Sequence, residues 1–293
     1  MRPVPRLRAV LRRASAALSD PREILSNRFV SAKLLPLDEQ GGYGVLMRVK
    51  ADTQAEELPV PPLSLSSRWG RNTESYLRGG RNDAETILAH LAEVEVTVEP
   101  GFRVLDFGCA EGRVLRFFPR RPESELWGVD INAERIAWAQ QHLPAPFRFA
   151  TTTTAPHLPF EDNYFDLVYA VSVFTHISEL ADAWFLEVLR VLRPGGHAYL
   201  TIHDERTVEL LLGAFRENPT HAYMVDLVRK FGEATGVLDQ EWAYFTILAD
   251  PAAQVFYDAA YLVDRWSRLA ECLRVTPEAI GYQTALIFRK SRR

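Results

Sequence analysis

The chain has 293 residues, of which 47% are hydrophobic and 25% are charged, and its formal net charge is −4 at pH 7. This is the composition of a globular protein, and it excludes collagen-like and wholly disordered chains. The slight acidity gives no general attraction for nucleic acid, so we expect no nucleic-acid partner. Cys109 and Cys272 are the only cysteines and neither belongs to a paired metal-binding motif. We therefore expect no disulfide framework, no zinc site and a reducing, cytoplasmic location.

Residues 1–80 form the first zone, which we interpret as an amino-terminal arm or lid. Arginines alternate there with apolar residues at helical spacing, which predicts a basic amphipathic helix carrying Val4, Leu7, Leu11, Ala14 and Leu18. Such a helix could pack on the protein itself or on a second subunit of a homodimer, or make weak contact with an anionic membrane surface. The apolar runs are too short for a signal peptide or a membrane span, so we expect neither. The prolines of LPVPPL at 58–63 predict an extended segment.

The second zone, residues 81–293, begins with a helix that Asp83 is predicted to cap, followed by alternating strands and helices. Asn132 and Ser178 are the predicted caps of two later helices. Apolar runs predict strands at 102–106, 125–129, 146–149, 165–171, 197–203 and 282–288. This alternation predicts an α/β fold with a doubly wound, mostly parallel sheet that is covered by helices on both faces. Ligands of such sheets bind at the carboxyl ends of the strands.

Residues 204–255 interrupt the alternation, and we interpret them as an inserted helical and aromatic cap over the ligand face. Two helices are predicted there, around 208–215 and 223–231, followed by the aromatic stretch 242–248. Aromatic side chains in and after the insertion could hold an aromatic molecule or the apolar face of a sugar, or could be core. These residues are Trp242, Tyr244, Phe245, Phe256, Tyr257, Tyr261 and Trp266.

The segment VLDFGCAEGRV at 104–114 carries the strongest functional signal. A strand that ends in Asp106 leads into a turn of small residues, which lets backbone amides approach a ligand before a helix predicted to begin at about Arg113. The dinucleotide-binding pattern GxGxxG would require glycine in place of Arg113, and a nucleotide-binding P-loop would require Gly-Lys-Ser/Thr. The segment therefore matches neither of these glycine-rich loops.

The spacing D-x-G-x-(G/A)-x-G instead resembles the first motif of class I S-adenosylmethionine-dependent methyltransferases. Three later features follow in the family's order: Asp130 at the end of the second strand, LPFEDNYFDLVYAVSVFTHI at 158–177 and LRVLRPGGHAYLTIHD at 189–204. The resemblance covers residues 83–203 and, by topology, 256–290. Within that family, the sequence is similar to bacterial members of glycan and small-molecule pathways. The resemblance implies a Rossmann-like fold.

The resemblance also implies that S-adenosylmethionine is the cofactor and which residues contact it. Asp106 would orient the loop or reach the amino group, and Asp130 would accept hydrogen bonds from both ribose hydroxyls. At Thr154 many relatives carry an aspartate that binds adenine, so a hydroxyl or a backbone group must substitute here. From the methionyl end to the adenine, the implied contact residues are Asp106, Gly108, Cys109, Ala110, Gly112, Val171, Asp130, Ile131 and Thr154.

The acceptor side of the reaction depends on whether a general base is present. Methyl transfer from a sulfonium is an in-line displacement that relies on positioning, and a hydroxyl acceptor also benefits from a base. His176 and His203 follow or end predicted strands and are candidate catalytic residues, although each could instead close a structural hydrogen-bond network. The absence of a carboxylate cluster suggests no metal. We predict methyl transfer to a small-molecule or sugar hydroxyl; the alternatives are N- or C-methylation of a natural product, or a non-catalytic S-adenosylmethionine-binding protein.

Overall fold

The computed structural model describes residues 29–36, 43–49, 58–66, 72–247 and 253–292. The basic helix predicted at the amino terminus lies outside these residues. Strands β1 (Phe29–Pro36) and β2 (Tyr43–Val49) pair antiparallel in a sheet separate from the main one. A short helical turn, Leu63–Ser66, follows the proline-rich segment. The amino-terminal zone therefore contains a small β-unit that the sequence pattern does not predict.

The main sheet confirms the predicted α/β architecture. Its principal strands are β3 (Arg103–Phe107), β4 (Glu125–Asp130), β5 (Phe147–Thr151), β6 (Phe165–Ala170), β7 (Leu192–Asp204), β10 (Ala270–Ile280) and β11 (Gln283–Lys290). Their order across the sheet is β5, β4, β3, β6, β7, β11, β10. Strands β3 to β7 run parallel, and β11 is antiparallel to both of its neighbours. The strand order reverses between β3 and β6, where a doubly wound sheet binds its ligands.

Helices cover the sheet on both faces and bury a continuous apolar layer on each. The helices are α1 (Thr73–Ala92), α2 (Ala133–His142), α3 (Ala181–Val191), α4 (Glu205–Leu212), α5 (Ala222–Thr235) and α6 (Ala259–Ser267). On one face, Phe185 of α3 and Trp266 of α6 stack with ring centroids 4.2 Å apart above the strands. On the other face, Ile87 of α1 and Ile136 of α2 are buried against the sheet. In the described residues, no helix has both the length and the apolar content that crossing a membrane would require.

Helix α1 begins earlier than the sequence pattern predicts. Asn72 accepts a hydrogen bond from the Ser75 amide (2.8 Å), and the Ser75 hydroxyl is bonded in return to the Asn72 amide, which forms a capping box. Asp83, the predicted cap, lies inside the helix, where its carboxylate binds Arg113 at 2.6 Å. The cap prediction was wrong because a stronger cap stands upstream. The proposed boundary at residue 80 falls inside α1, and the division into an arm and a catalytic domain stays a prediction.

The two later caps have different outcomes. Asn132 caps α2 as predicted, because its side chain accepts from the Arg135 amide at 3.1 Å. Ser178 does not cap α3: the helix begins after Leu180, which makes no side-chain cap bond, and the Ala181 amide donates to the Ser178 backbone carbonyl. A backbone turn has here taken the place of the predicted side-chain cap.

The helix predicted from about Arg113 is also absent. The chain after Gly112 forms turns and a single 3₁₀ turn, Leu115–Phe117, and Phe118 then becomes extended with a ψ of 147°. Pro119 follows directly, and a proline disfavours the helical conformation of the residue before it. The glycine turn is therefore followed by a tight, buried loop.

The insertion extends the sheet, and its role as a cap over the ligand face stays a prediction. After α4 and α5, strands β8 (Tyr244–Ile247) and β9 (Gln254–Tyr257) pair antiparallel, and β9 joins the carboxyl end of β7 in parallel, with His203 opposite Phe256. Most of the aromatic residues proposed as acceptor contacts are core: Phe245, Phe256, Tyr257 and Trp266 are buried. Tyr244 and Tyr261 are exposed. For the four buried residues the core alternative holds: Phe245 and Phe256 belong to the core of the insertion, whereas Tyr257 and Trp266 belong to the core of the main sheet.

Candidate functional site

The glycine turn at the carboxyl end of β3 contacts the loop that follows β6, and this edge of the sheet, called the crevice below, is the candidate site. Gly108, Ala110 and Gly112 have φ angles of +85°, +51° and +77°. A Cβ on Gly108 would lie 2.3 Å from Cγ2 of Val173, so a side chain cannot be accommodated at this position without displacement. The alanine at 110, where the resembled family usually has glycine, adopts the left-handed conformation that the turn requires. The Gly108 and Cys109 amides both donate to the Val129 carbonyl, at 2.8 and 3.0 Å, so hydrogen bonds to β4 hold the turn in place.

Asp130 connects this turn to the neighbouring strand. Its Oδ2 accepts from the Ala110 amide at 2.9 Å and its Oδ1 accepts from the Asn132 amide at 2.7 Å. An ionised carboxylate has about four acceptor sites, so both oxygens keep capacity for a hydroxyl pair. Ile131, directly after it, exposes 59% of its surface. The structure places Asp130 against the turn and shows a role that the sequence does not, which is to hold the turn itself; its ribose contact stays a prediction.

Asp106 lies beneath the turn and is 3% exposed. Within the described part of the chain, its Oδ2 has no hydrogen-bond partner. The pKa of Asp106 is raised to about 7, chiefly by burial and to a smaller extent by the charge of Asp130, against the opposing effects of the Tyr169 hydroxyl and the Arg113 charge. A buried carboxyl oxygen without a partner is unfavourable unless something pairs with it, and the ammonium group of an amino acid would do so.

Thr152 is a candidate contact residue that the sequence reasoning missed. Its amide donates to the Asp130 carbonyl at 3.0 Å, and its hydroxyl is buried without a hydrogen-bond partner among the described residues. Thr154, the predicted adenine contact, is exposed in the loop after β5. The run of threonines at 151–154 offers the same hydroxyl four times, so the pattern alone could not indicate which one points inward.

Cys109 and Val171 complete the lining. Cys109 is 3% exposed, and burial raises the pKa of its thiol, so it remains an uncharged packing residue as expected. A Cβ on Gly128 of β4 would lie 2.7 Å from the Cys109 sulfur, so the two strands depend on this close fit. Val171 is half-buried at the start of the loop after β6.

His176 lies in the 3₁₀ turn Phe174–His176, in the loop that follows β6. Its side chain is exposed, and its Nδ1 lies 2.7 Å from the backbone carbonyl oxygen of Ala253. A carbonyl can only accept, so Nδ1 carries the hydrogen and Nε2 is the acceptor nitrogen of the neutral ring. This is the tautomer that a general base requires.

His203 has a different environment. It is 2% exposed, and its ring packs against Phe256 and Tyr282 with centroids 5.1 and 5.5 Å away. The pKa of His203 is lowered to about 3, chiefly by burial and to a smaller extent by the neighbouring His176. The ring therefore stays neutral at physiological pH and is a weak base, so the geometry favours His176 over His203 for proton transfer. In the residues described, no group of three or more His, Cys, Asp or Glu side chains is arranged to hold a metal ion.

Comparison with known sequences identifies the region that contains this crevice. A protein-family profile described as "Methyltransferase domain" matches residues 105–200. The 24-methylenesterol C-methyltransferase 2 of Arabidopsis thaliana is 27% identical over 164 residues, covering 50% of this chain and 45% of the relative. The ubiquinone/menaquinone biosynthesis C-methyltransferase UbiE of Cupriavidus pinatubonensis is 32% identical over 109 residues, covering 35% and 43%. The chain thus spans less than half the length of these curated relatives.

Comparison with solved structures supports the fold. The crystal structure of an S-adenosylmethionine dependent methyltransferase from Mesorhizobium loti aligns with a TM-score of 0.50 at 14% sequence identity. The alignment covers 71% of this chain and 100% of that one. At this identity the likeness shows the fold alone.

Proposed function

We propose, from the premise that residues 105–200 of this chain are a class I S-adenosylmethionine-dependent methyltransferase domain, that the protein methylates a hydroxyl group of a small molecule or a sugar. The residues of the crevice fit the cofactor. The unpaired oxygen of Asp106 suits an ammonium group, and Asp130, which holds the turn through the Ala110 amide, keeps acceptor sites for a ribose diol. When bound, S-adenosylmethionine supplies an electrophilic methyl group on a sulfonium.

Different residues of the chain would bind different parts of the cofactor. Asp130 and the glycine turn would hold the ribose and the amino-acid tail, and Asp106 would neutralise the ammonium end. Thr152, with a buried hydroxyl next to the Asp130 carbonyl, would contact the adenine side. These contacts fix the cofactor against the carboxyl edge of the sheet, which is the positioning that in-line displacement requires.

The observation that carries the hydroxyl assignment is the hydrogen bond from His176 to the Ala253 carbonyl. It orients the ring and leaves Nε2 as the nitrogen that takes a proton from the acceptor hydroxyl. After the transfer, the positive ring still donates from Nδ1 to Ala253, which stabilises the charged form. A base of this kind contributes roughly 10²–10⁴ in rate.

The experiment that tests the proposal combines transfer with binding. Label would be followed from methyl-labelled S-adenosylmethionine into a panel of sugars, phenols and alcohols, each paired with its O-methyl ether as a blocked control. We expect label in the free hydroxyl compounds alone. Transfer to the blocked ethers as well, or to none of the compounds, would contradict the hydroxyl assignment.

A variant separates the base from the binding site. His176→Gln keeps a donor for Ala253 and removes the base, so kcat should fall roughly 10²–10⁴-fold while the affinity for S-adenosylhomocysteine is unchanged. His142→Gln is a matched control, because His142 is exposed and also binds a backbone carbonyl, that of Trp138 at 2.8 Å. Equal turnover of the His176 and His142 variants would refute the base role.

Carbon methylation is the second candidate, because both curated relatives described above are named C-methyltransferases. A nucleophilic carbon has less need of a base, so His176→Gln would then leave kcat within a few fold of the original value. The carbon chemical shift of the labelled methyl group in the product distinguishes an O-methyl from a C-methyl group. A non-catalytic binding protein would bind S-adenosylhomocysteine and transfer label to no acceptor.

A further inference from the structure

A ring of polar side chains connects the carboxyl ends of β6 and β7 with the start of the antiparallel strand β11, outside the residues assigned so far. The Thr201 hydroxyl donates to Oε1 of Gln283 at 2.7 Å, and Nε2 of Gln283 donates to the Ser172 hydroxyl at 2.7 Å. The Ser172 amide donates back to the Thr201 hydroxyl at 2.8 Å. Thr201 and Gln283 are both buried. Each of the three residues therefore pairs with the hydrogen-bonding groups of the other two. Because Thr201 and Gln283 are buried, water cannot replace a hydrogen bond that either of them loses.

The ring encloses a residue in an unfavourable backbone conformation. Ser172 has a φ of +58°, in the left-handed region that favours glycine. A non-glycine residue keeps such a conformation when its surroundings hold it there, and residues of this kind are concentrated at functional sites. The hydrogen bonds at its amide and at its hydroxyl are the contacts that hold Ser172.

The direction of the chain at Ser172 determines both halves of the crevice. Val173, the next residue, fills the space directly against Gly108, where an added Cβ would lie 2.3 Å from Val173 Cγ2. The turn that carries His176 begins one residue later. A change of backbone direction at Ser172 would therefore move the wall of the cofactor turn and the proposed base together.

Gln283 is itself firmly placed. The carbonyl of Tyr282, the preceding residue, accepts from the Thr207 hydroxyl at 2.6 Å. Thr207 forms the capping box of α4 with Asp204, so the start of β11 is tied to the start of the insertion. Gln283 lies far along the chain from the methyltransferase motifs and reaches the crevice through Ser172.

We propose that Gln283 is a positioning residue of the methyl-transfer site: it holds Ser172 in the left-handed conformation and thereby sets the places of Val173 and His176. This inference rests on the proposed function for its meaning in turnover. Its test, however, is binding of the product S-adenosylhomocysteine, so the two can fail separately. If the unmodified protein binds no S-adenosylhomocysteine, the proposed function fails; if it binds but Gln283 has no influence, the present inference alone fails.

The decisive experiment is a double-mutant cycle measured by calorimetry. Gln283→Leu keeps the approximate size and removes the hydrogen bonds, and we expect it to weaken S-adenosylhomocysteine binding about tenfold or more. Ser172→Gly adopts a positive φ without support, so it should bind nearly as well as the original protein. In the Ser172→Gly background, Gln283→Leu should cost less than about threefold in affinity.

Two results would overturn the inference. One is an equal loss of affinity in both backgrounds, because Gln283 would then act by some route other than Ser172. The other is unchanged affinity in a Gln283→Leu protein that circular dichroism shows to be folded. If Gln283→Leu does not fold, Gln283→Glu replaces it. The glutamate carboxylate still accepts from Thr201 and from the Ser172 hydroxyl, so this variant should retain most of the affinity for S-adenosylhomocysteine. Thr201→Val, which removes the hydroxyl from the ring, is the comparison, and an equally large loss of affinity in Gln283→Glu would contradict the role.

Discussion

The two sides of the crevice are built from different chemistry. On the side of β3 and β4, buried polar atoms await a partner: Oδ2 of Asp106 and the hydroxyl of Thr152 have none among the described residues. On the side of β7 and the insertion, rings pack on one another: His203 packs on Phe256 and Tyr282, although its buried Nδ1 also has no partner among the described residues. The first side is thus suited to the charged and polar ends of a cofactor, whereas the second is mainly a packed aromatic surface.

The largest effect should come from closing the turn. Gly108→Ala places a Cβ 2.3 Å from Val173 at a φ of +85°, so affinity for S-adenosylhomocysteine should fall roughly a hundredfold or more. Isothermal calorimetry measures the affinity. Gly101→Ala is the matched control, since Gly101 has a φ of +75° and its added Cβ would meet no atom within 4 Å. Equal binding by both variants would show that a clash between a Cβ at position 108 and Val173 does not affect the affinity.

A smaller but still large effect should follow at Asp130. Removing its carboxylate in Asp130→Ala frees the Ala110 amide and takes away the proposed ribose contact. Charge-assisted bonds of about 1.5–3 kcal/mol predict a loss of roughly tenfold to a hundredfold in affinity for S-adenosylhomocysteine. Asp130→Asn keeps an acceptor oxygen, so its affinity for S-adenosylhomocysteine should lie between those of the original protein and Asp130→Ala. Unchanged affinity in the alanine variant would remove Asp130 from the site.

The residues that these experiments address could be predicted because the relevant information is local. Asp106, Gly108 and Asp130 lie at the ends of strands whose apolar patterns are clear, and strand ends in a parallel sheet meet at one edge. Gln283 gave no such signal, because its partners Ser172 and Thr201 are distant in the chain and meet only in the folded sheet. Hydrogen bonds between residues so distant in the chain depend on the register of the paired strands, which the apolar pattern of each strand does not determine.

The prediction of a helix after the glycine turn was wrong for a related reason. The residues from Arg113 onward have helical spacing, yet the proline at 119 limits them to the turn Leu115–Phe117. Thr152 shows the complementary limit, since four consecutive threonines look alike until burial distinguishes them. The insertion was predicted as helical and aromatic, but its strand β9 could be placed only through its pairing with β7.

The titration of Asp106 offers a subtler test of the polar side. Its folded pKa of about 7 lies above the ordinary value of 3.8, so the folded state binds more protons between these values. Stability contributed by the neutral carboxyl is therefore present at low pH and is lost as the pH rises from about 4 to 7, by about 1.4 kcal/mol per unit. Asp106→Asn should lack this loss. Chemical denaturation of both proteins at pH 5 and pH 8 measures it, and parallel pH dependences would show that Asp106 ionises normally.

The smallest effect is expected on the surface of the insertion. Tyr244 is 45% exposed whereas its neighbour Phe245 is 7% exposed. Tyr244→Ala should change the free energy of unfolding by about 1 kcal/mol or less and leave S-adenosylhomocysteine binding intact. Phe245→Ala should cost about 3–5 kcal/mol, because it opens a cavity in the core of the insertion. Equal costs at the two positions would mean that the aromatic side is not a packed core.

The central claim is that the turn at Gly108 and the carboxylate of Asp130 form one cofactor cradle. A crystal structure of the complex with S-adenosylhomocysteine tests it most directly. We predict the amino-acid tail against the turn, its ammonium group near Asp106, and both ribose hydroxyls bonded to Asp130. A ligand bound elsewhere, or an Asp130 carboxylate turned away from the ribose, would contradict the account.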